Sequence, residues 1–255
     1  MKSGFGIALA AISLLSVSAS VGQGTPSGCG KAELFKAHGV VVWSATKGAA
    51  GIFYKSGMAV DADGAYRAYH PKDRLGLDAL KHAGHPGNWW ALATDNERKD
   101  GRPVVQGEQD PAPGYYVSMT ALHDPDNPNF GDPHRYVDAA NTPYVVLHPK
   151  ALHYARLGDF ATVVNFDNGK ISAALVADVS AANLPVGEGS IALAEALGIN
   201  SDARYGGKDR NVGYVIYAGS GNGKPREPAE IEANAKELFE AWGGVEKLDS
   251  CLASE

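Results

Sequence analysis

Phe160-Ala161-Thr162-Val163-Val164-Asn165-Phe166, then Asp167-Asn168-Gly169-Lys170, then Ile171-Ser172-Ala173-Ala174-Leu175-Val176-Ala177 is the stretch on which the fold class turns. Two runs rich in β-branched and apolar residues are joined by Asn168-Gly169, a pair that accepts the positive φ angles of a tight hairpin. Outward from this hairpin, short apolar runs recur between turn residues. Val40-Val41-Val42-Trp43 reads as a buried strand, and Met58-Ala59-Val60 as a strand ending in the turn Asp61-Ala62-Asp63-Gly64. Tyr115–Ser118, Tyr144–Leu147 and Tyr214–Tyr217 read as three more.

Two helices interrupt the pattern. Ser190–Leu197 is rich in helix formers and stops at Gly198, suited to a left-handed cap. A second starts near Pro228, a favoured first-turn residue, and ends at Gly243. Its apolar positions Ile231, Ala235, Leu238 and Trp242 recur at helical spacing and form one face. The expectation is a mainly β protein, a β-barrel with peripheral helices of the α+β class.

The first residues speak to compartment. Lys2 precedes an apolar stretch from Phe5 to Leu15 and then Val17-Ser18-Ala19, the layout of a cleavable signal peptide. The expected division is a signal peptide at 1–19, a loose lead-in at 20–38 and a single domain at 39–255. The 31 Gly and 14 Pro, with 20% charged residues, fit a turn-rich chain. The net charge is −6, and loss of Lys2 makes it −7. An acidic exported protein is a poor partner for nucleic acid or anionic membranes. Its two cysteines, Cys29 and Cys251, are expected to pair in an oxidising compartment and tie the termini together.

The strongest candidate chemistry lies in Ala177-Asp178 through Gly187-Glu188-Gly189-Ser190. Asp178 ends an apolar strand and Glu188 sits between glycines before a helix. A loop holding Pro185 and two glycines can fold back and bring both carboxyls to one edge. Glycosidic hydrolysis needs such a pair, one protonated and one ionised. The plain alternative is an Asp that satisfies loop amides and a Glu that favours a helix start. Leu184 and Val186 make Glu188 the expected acid, although the helix start pulls the other way.

Val186-Gly187-Glu188-Gly189-Ser190-Ile191-Ala192-Leu193-Ala194, with Leu197-Gly198-Ile199, resembles the Gly-Glu-Ala-Ser segment of the glycoside hydrolase family 75 chitosanases. Asp61-Ala62-Asp63-Gly64, Gly114–Leu122 and Arg135–Asp138 leading to Pro143–Leu147 resemble the same family in the same order. The resemblance implies an endo-acting, inverting hydrolase of β-1,4-linked glucosamine polymers, with Asp178 and Glu188 catalytic. Thr-Gly-Pro follows the family's Asp, whereas Val179-Ser180-Ala181 follows here, in a loop one residue longer. The Asp…Glu-x-Ser…Ala-x-x-Leu-Gly layout is also similar to the double-psi β-barrel of expansin-like and peptidoglycan-acting proteins. A wall-acting or wall-binding protein without chitosanase activity is the alternative reading.

A cationic polysaccharide suits a carboxylate-lined cleft. Asp61, Asp63, Asp138 and Asp159 are candidates for that lining. Tyr116, Tyr115 and one of Trp89 and Trp90 are candidates for stacking on sugars, since neighbours on a strand face opposite sides. His123, Asp124, Asp126, Asp132 and His134 carry metal-ligand chemistry, but the prolines among them favour a solvated loop. Gly219–Lys224 lacks phosphate-loop spacing and reads as a flexible linker. A monomer without metal or cofactor is expected.

Overall fold

The hairpin is present in the computed structural model, which describes Met1 and residues 29–253. Apart from Met1, the expected signal peptide lies outside the described residues. Strands β7 (Phe160–Asn165) and β8 (Lys170–Val179) pair antiparallel from Phe160↔Leu175 to Asn165↔Lys170. Gly169 turns the chain at φ 72°.

β3 (Ile52–Asp61), β6 (Tyr144–Leu147), β9 (Glu188–Ser190) and β10 (Lys208–Ile216) join this hairpin. The order β3-β10-β7-β8-β6-β9, with β9 returning to β3, closes a six-strand barrel. β8 runs parallel to β6, and β9 parallel to β3, while the other pairs are antiparallel. All of β7 is buried. Its outer side is covered by α2 (Pro228–Trp242), which packs on β7 and β8. Closure removes the free edges that would otherwise invite pairing with other chains.

α1 (Ile191–Ala196) and α2 lie where the sequence puts them, and Gly198 and Gly243 both have positive φ. On α2 it is Phe239, not Leu238, that joins Ile231, Ala235 and Trp242 in the buried face. Tyr115–Ser118 forms no continuous strand. Tyr116, Val117 and Met119 donate their backbone N–H groups to Tyr69, Val104 and Ala91, three separate segments instead of one ladder. Within the expected lead-in, Lys31–Ala37 is strand β1, paired with β2 (Val40–Ala45), which in turn borders β3. β4 (Gly84–His85) and β5 (Asn88–Trp89) make a separate small hairpin. Gly219–Lys224 is tied down, not loose: Gly219 and Gly221 donate to Asp159.

Cys29 is bonded to Cys251 of α3 (Gly244–Ala253), 222 residues away. Lys31 Nζ donates to the Cys251 carbonyl beside it, at 2.7 Å. Together they fasten the outer β1–β2 hairpin to the C-terminal helix. The paired variant Cys29→Ser, Cys251→Ser is expected to lose about 2–5 kcal/mol, because so long a loop is then free in the unfolded chain. Urea unfolding checks this, and an unchanged midpoint would remove the bond from the account of stability.

Candidate active site

Strand pairing brings distant carboxyls to one end of the barrel. The parallel β3–β9 register sets Ala59 opposite Glu188 and Asp61 opposite Ser190. The β6–β8 register sets Val145 opposite Val176 but Val146 opposite Asp178, so Ala177 is bulged out of the pairing. A bulge re-aims the side chain beside it. The Ala177 carbonyl accepts from Leu122 N at 2.8 Å, and Ala121 N donates to Asp178 Oδ1 at 3.2 Å. Val179 N donates to the same oxygen at 2.7 Å. Asp178 is therefore pinned as a hydrogen-bond acceptor.

Glu188 has the opposite surroundings. Among the described residues nothing donates to its carboxyl, and burial followed by the charges of Asp61 and Asp178 pushes its pKa well up. The flanking glycines are needed for space. Gly187 has φ 108°, and a Cβ there would overlap Ser56 Oγ and the Gly57 carbonyl. A Cβ on Gly189 would meet Met58 Cε at 2.8 Å and the Tyr144 carbonyl at 2.9 Å. Ser190 is fully buried, caps α1 by accepting from Leu193 N, and donates to the Thr142 carbonyl. Gly187→Ala is accordingly expected to cost about 2 kcal/mol or more from strain and overlap. Denaturant titration tests it, and a stability equal to wild type would show that the loop before Glu188 shifts freely.

Asp61 and Asp63 complete the group. Asp61 accepts from Asp63 N and from the Tyr144 hydroxyl, each at 2.9 Å, and Asp63 accepts from the Tyr69 hydroxyl at 2.7 Å. Asp61, Asp63 and Asp178 each bring an oxygen within 4.8 Å of the other two, and Glu188 stands outside that set. Burial raises all four carboxyls, and neighbouring carboxylates add to it: Asp61, repelled by Asp78, is pushed up to about 6, and Asp63 and Asp178, each repelled by Asp61, go well above the usual range. Such a set shares protons instead of ionising fully. Its oxygens are also the only ones among the described residues arranged so that they could close on a cation.

The carboxyls floor an open cleft of about 1070 Å³. Trp90, 47% exposed and just past the end of β5, lines it, while Trp89 is buried. Lys81, Lys99, Arg135 and Arg204 line it as well. Asp138, Asp159, Tyr115 and Tyr116 are not among the lining residues. Asp138 caps its own turn, accepting from Ala140 N and Asn141 Nδ2. Asp159 is fully buried and holds the 219–221 loop. Tyr115 donates to the Leu75 carbonyl. The five residues of the 123–134 stretch do not gather as ligands: Asp126 pairs with Lys224, and Asp132 accepts from Asn127 and His134. Sequence reasoning missed Tyr69, Asp78, His82 and Tyr144. Only their identity as polar or aromatic residues in apolar surroundings could have signalled them.

A carboxyl pair in contrasting environments on the floor of an open cleft can serve general acid–base catalysis. The chain belongs to glycosyl hydrolase group 75, a chitosanase-type glycoside hydrolase family described as fungal chitosanase, whose model matches residues 90–247. That span includes Asp178 and Glu188 and leaves Asp61, Asp63 and Asp78 outside it. No curated protein matches the chain.

Proposed function

We propose that the protein is a secreted, endo-acting chitosanase that cleaves β-1,4 links between glucosamine units with inversion. The observation that carries this reading is the contrast between Asp178, held by two backbone N–H groups, and Glu188, which accepts none. Burial pushes both carboxyls up, but the two backbone N–H groups pull Asp178 back toward ionisation and nothing among the described residues does so for Glu188, which makes Glu188 the acid of the pair. Glu188 gives its proton to the leaving oxygen as that bond breaks. A water attacks the anomeric carbon from the other face and loses its proton to Asp178, so both carboxyls exchange states once per turnover. Asp61 and Asp63 offer the acidic lining that a polymer of ammonium sugars favours, and Trp90 offers a face for stacking.

Inversion needs about 6.5–9.5 Å between the two carboxyls, enough to admit a water. The segment between Asp178 and Glu188, with Asn183, Leu184 and Pro185 in it, is long enough to bow out and keep the two carboxyls apart, which favours the wider spacing. The expected first product is the α-anomer, read by proton NMR of the anomeric region in the first minutes of digestion. Early β-anomer would mean retention. Secretion, after removal of residues 1–19, is supported by the disulfide, and no described helix is long and apolar enough to cross a membrane. The six-strand barrel with two parallel pairings supports a double-psi-like connectivity, and we take the working form to be a monomer.

One observation favours the alternative. Lys81, Lys99 and Arg135 on the cleft wall suit a wall polymer bearing carboxylates, such as peptidoglycan. Reducing-end release from chitosan, chitin, cellulose and peptidoglycan separates the readings. Release from peptidoglycan and none from chitosan would overturn the proposal.

A further inference from the structure

A chain of side chains that no step above uses joins the cleft floor to a half-exposed imidazole. The Tyr69 hydroxyl lies 2.7 Å from Asp63 Oδ1 and 3.4 Å from Asp78 Oδ2. Both Asp78 oxygens lie 2.9 Å from His82 Nδ1. Tyr69 and Asp78 are buried, whereas the His82 side chain is 47% exposed and lines the cleft. The backbone around Asp78 is braced. Ala79 N donates to Asp78 Oδ1 at 2.6 Å, and Arg204 Nη2 donates to the Asp78 and Gly76 carbonyls at 2.7 and 3.1 Å.

We propose that Asp78 and His82 are a positioning pair for the hydrolysis, setting through Tyr69 how protons are shared among the carboxyls of the cleft floor. The proposal rests on the reading of Asp178 and Glu188 as the reacting pair. Tyr69 has one hydroxyl proton and faces two carboxyls. When the imidazole is charged it compensates Asp78, and the Tyr69 proton is left for Asp63. When that charge is missing, Asp78 competes for the proton and its field reaches further. Asp78 already makes it harder for Asp61 and Glu188 to ionise. The other charged groups about the pair are Arg204 with its partner Asp73, Lys81 beside His82, and Asp61 and Asp63 on the floor. Arg204 favours ionised Asp78, as His82 does, but a guanidinium keeps its charge at every working pH. An imidazole is the group whose charge changes between about pH 5 and 8.

The test is a charge cycle on the pH profile of kcat for chitosan. When both are charged, His82 and Asp78 are neutral as a unit. His82→Gln leaves a net negative site, which should move the acid limb up by about half a pH unit. Asp78→Asn leaves the imidazolium alone and should move it down by about as much. The double variant restores a neutral unit and should return toward wild type. A purely structural role would lower kcat at every pH without moving the limb, and unmoved limbs or two shifts of the same sign would overturn the proposal. Carbon-13 NMR titration of the Asp61 and Glu188 carboxyls gives a readout that needs no turnover, with midpoints expected to move in the same two directions. If the wild type leaves chitosan uncut, the functional reading fails while this titration still decides the pair. Should Asp78→Asn misfold, the half-exposed His82→Gln carries the test by itself.

Discussion

Asp178→Asn and Glu188→Gln are each expected to lower chitosan turnover about 10²–10⁴-fold, the range that one positioned acid or base supplies. Both changes keep the shape of the side chain. The amide that replaces the Asp178 carboxyl still offers an oxygen to Ala121 N and Val179 N, the two donors that pin it. The amide that replaces the Glu188 carboxyl enters a place where no described residue donates, so no hydrogen bond is lost there. The loss should therefore fall on kcat with little change in KM, and thermal midpoints should not fall. The controls Asp124→Asn and Asp126→Asn should turn over normally, since Asp126 is exposed and pairs with Lys224 outside the cleft. Near-wild-type turnover in either carboxyl variant would falsify the assignment of that residue.

What the sequence made legible follows the range of the interactions involved. The β7–β8 hairpin and β6 could be read because β-branched runs and turn residues act over a few positions. β9 could not be read. Glu188-Gly189-Ser190 has no strand former and is a strand only because the barrel closes there, against β3 more than a hundred residues earlier. β1 reads Lys-Ala-Glu-Leu-Phe-Lys-Ala, a composition at home in a helix, and becomes an outer strand beside the disulfide. Asp178 and Glu188 stood out because each interrupts an apolar or glycine context. Asp138 was a weaker candidate, for the cleft lining, and caps its own turn instead, since a motif records a residue type and not the direction it points. Asp78 was passed over, because nothing in Leu77-Asp78-Ala79-Leu80 tells that the Tyr69 hydroxyl and the His82 ring close on its carboxyl.

The same carboxyl cluster should make stability fall as pH rises from mildly acid to neutral. Asp61, Asp63, Asp78, Asp178 and Glu188 all hold their protons more tightly in the folded chain, first because they are buried and, for the four on the cleft floor, because neighbouring carboxylates repel them. An unfolded carboxyl ionises near pH 4, whereas folded Asp61 waits until about pH 6. Across that window the folded state binds more protons than the unfolded state, so the free energy of unfolding declines with pH. For Asp61 alone the difference amounts to about 2–3 kcal/mol by pH 7. Asp73 and Asp132, whose pKa values are lowered, act in the opposite sense below about pH 4, but water screens them and their share is small. Thermal unfolding is therefore expected to be later at pH 5 than at pH 7.5. Asp61→Asn should remove part of the slope and raise the midpoint at pH 7.5, because Tyr144 keeps the Asp63 carbonyl, at 2.9 Å, as an acceptor. A stabilising substitution at the floor of the cleft is what a site that stores repulsion for chemistry should give. A midpoint that climbs steadily from pH 5 to 7.5, or an Asp61→Asn variant less stable than wild type at neutral pH, would show that the four floor carboxyls do not repel one another as their burial and spacing require.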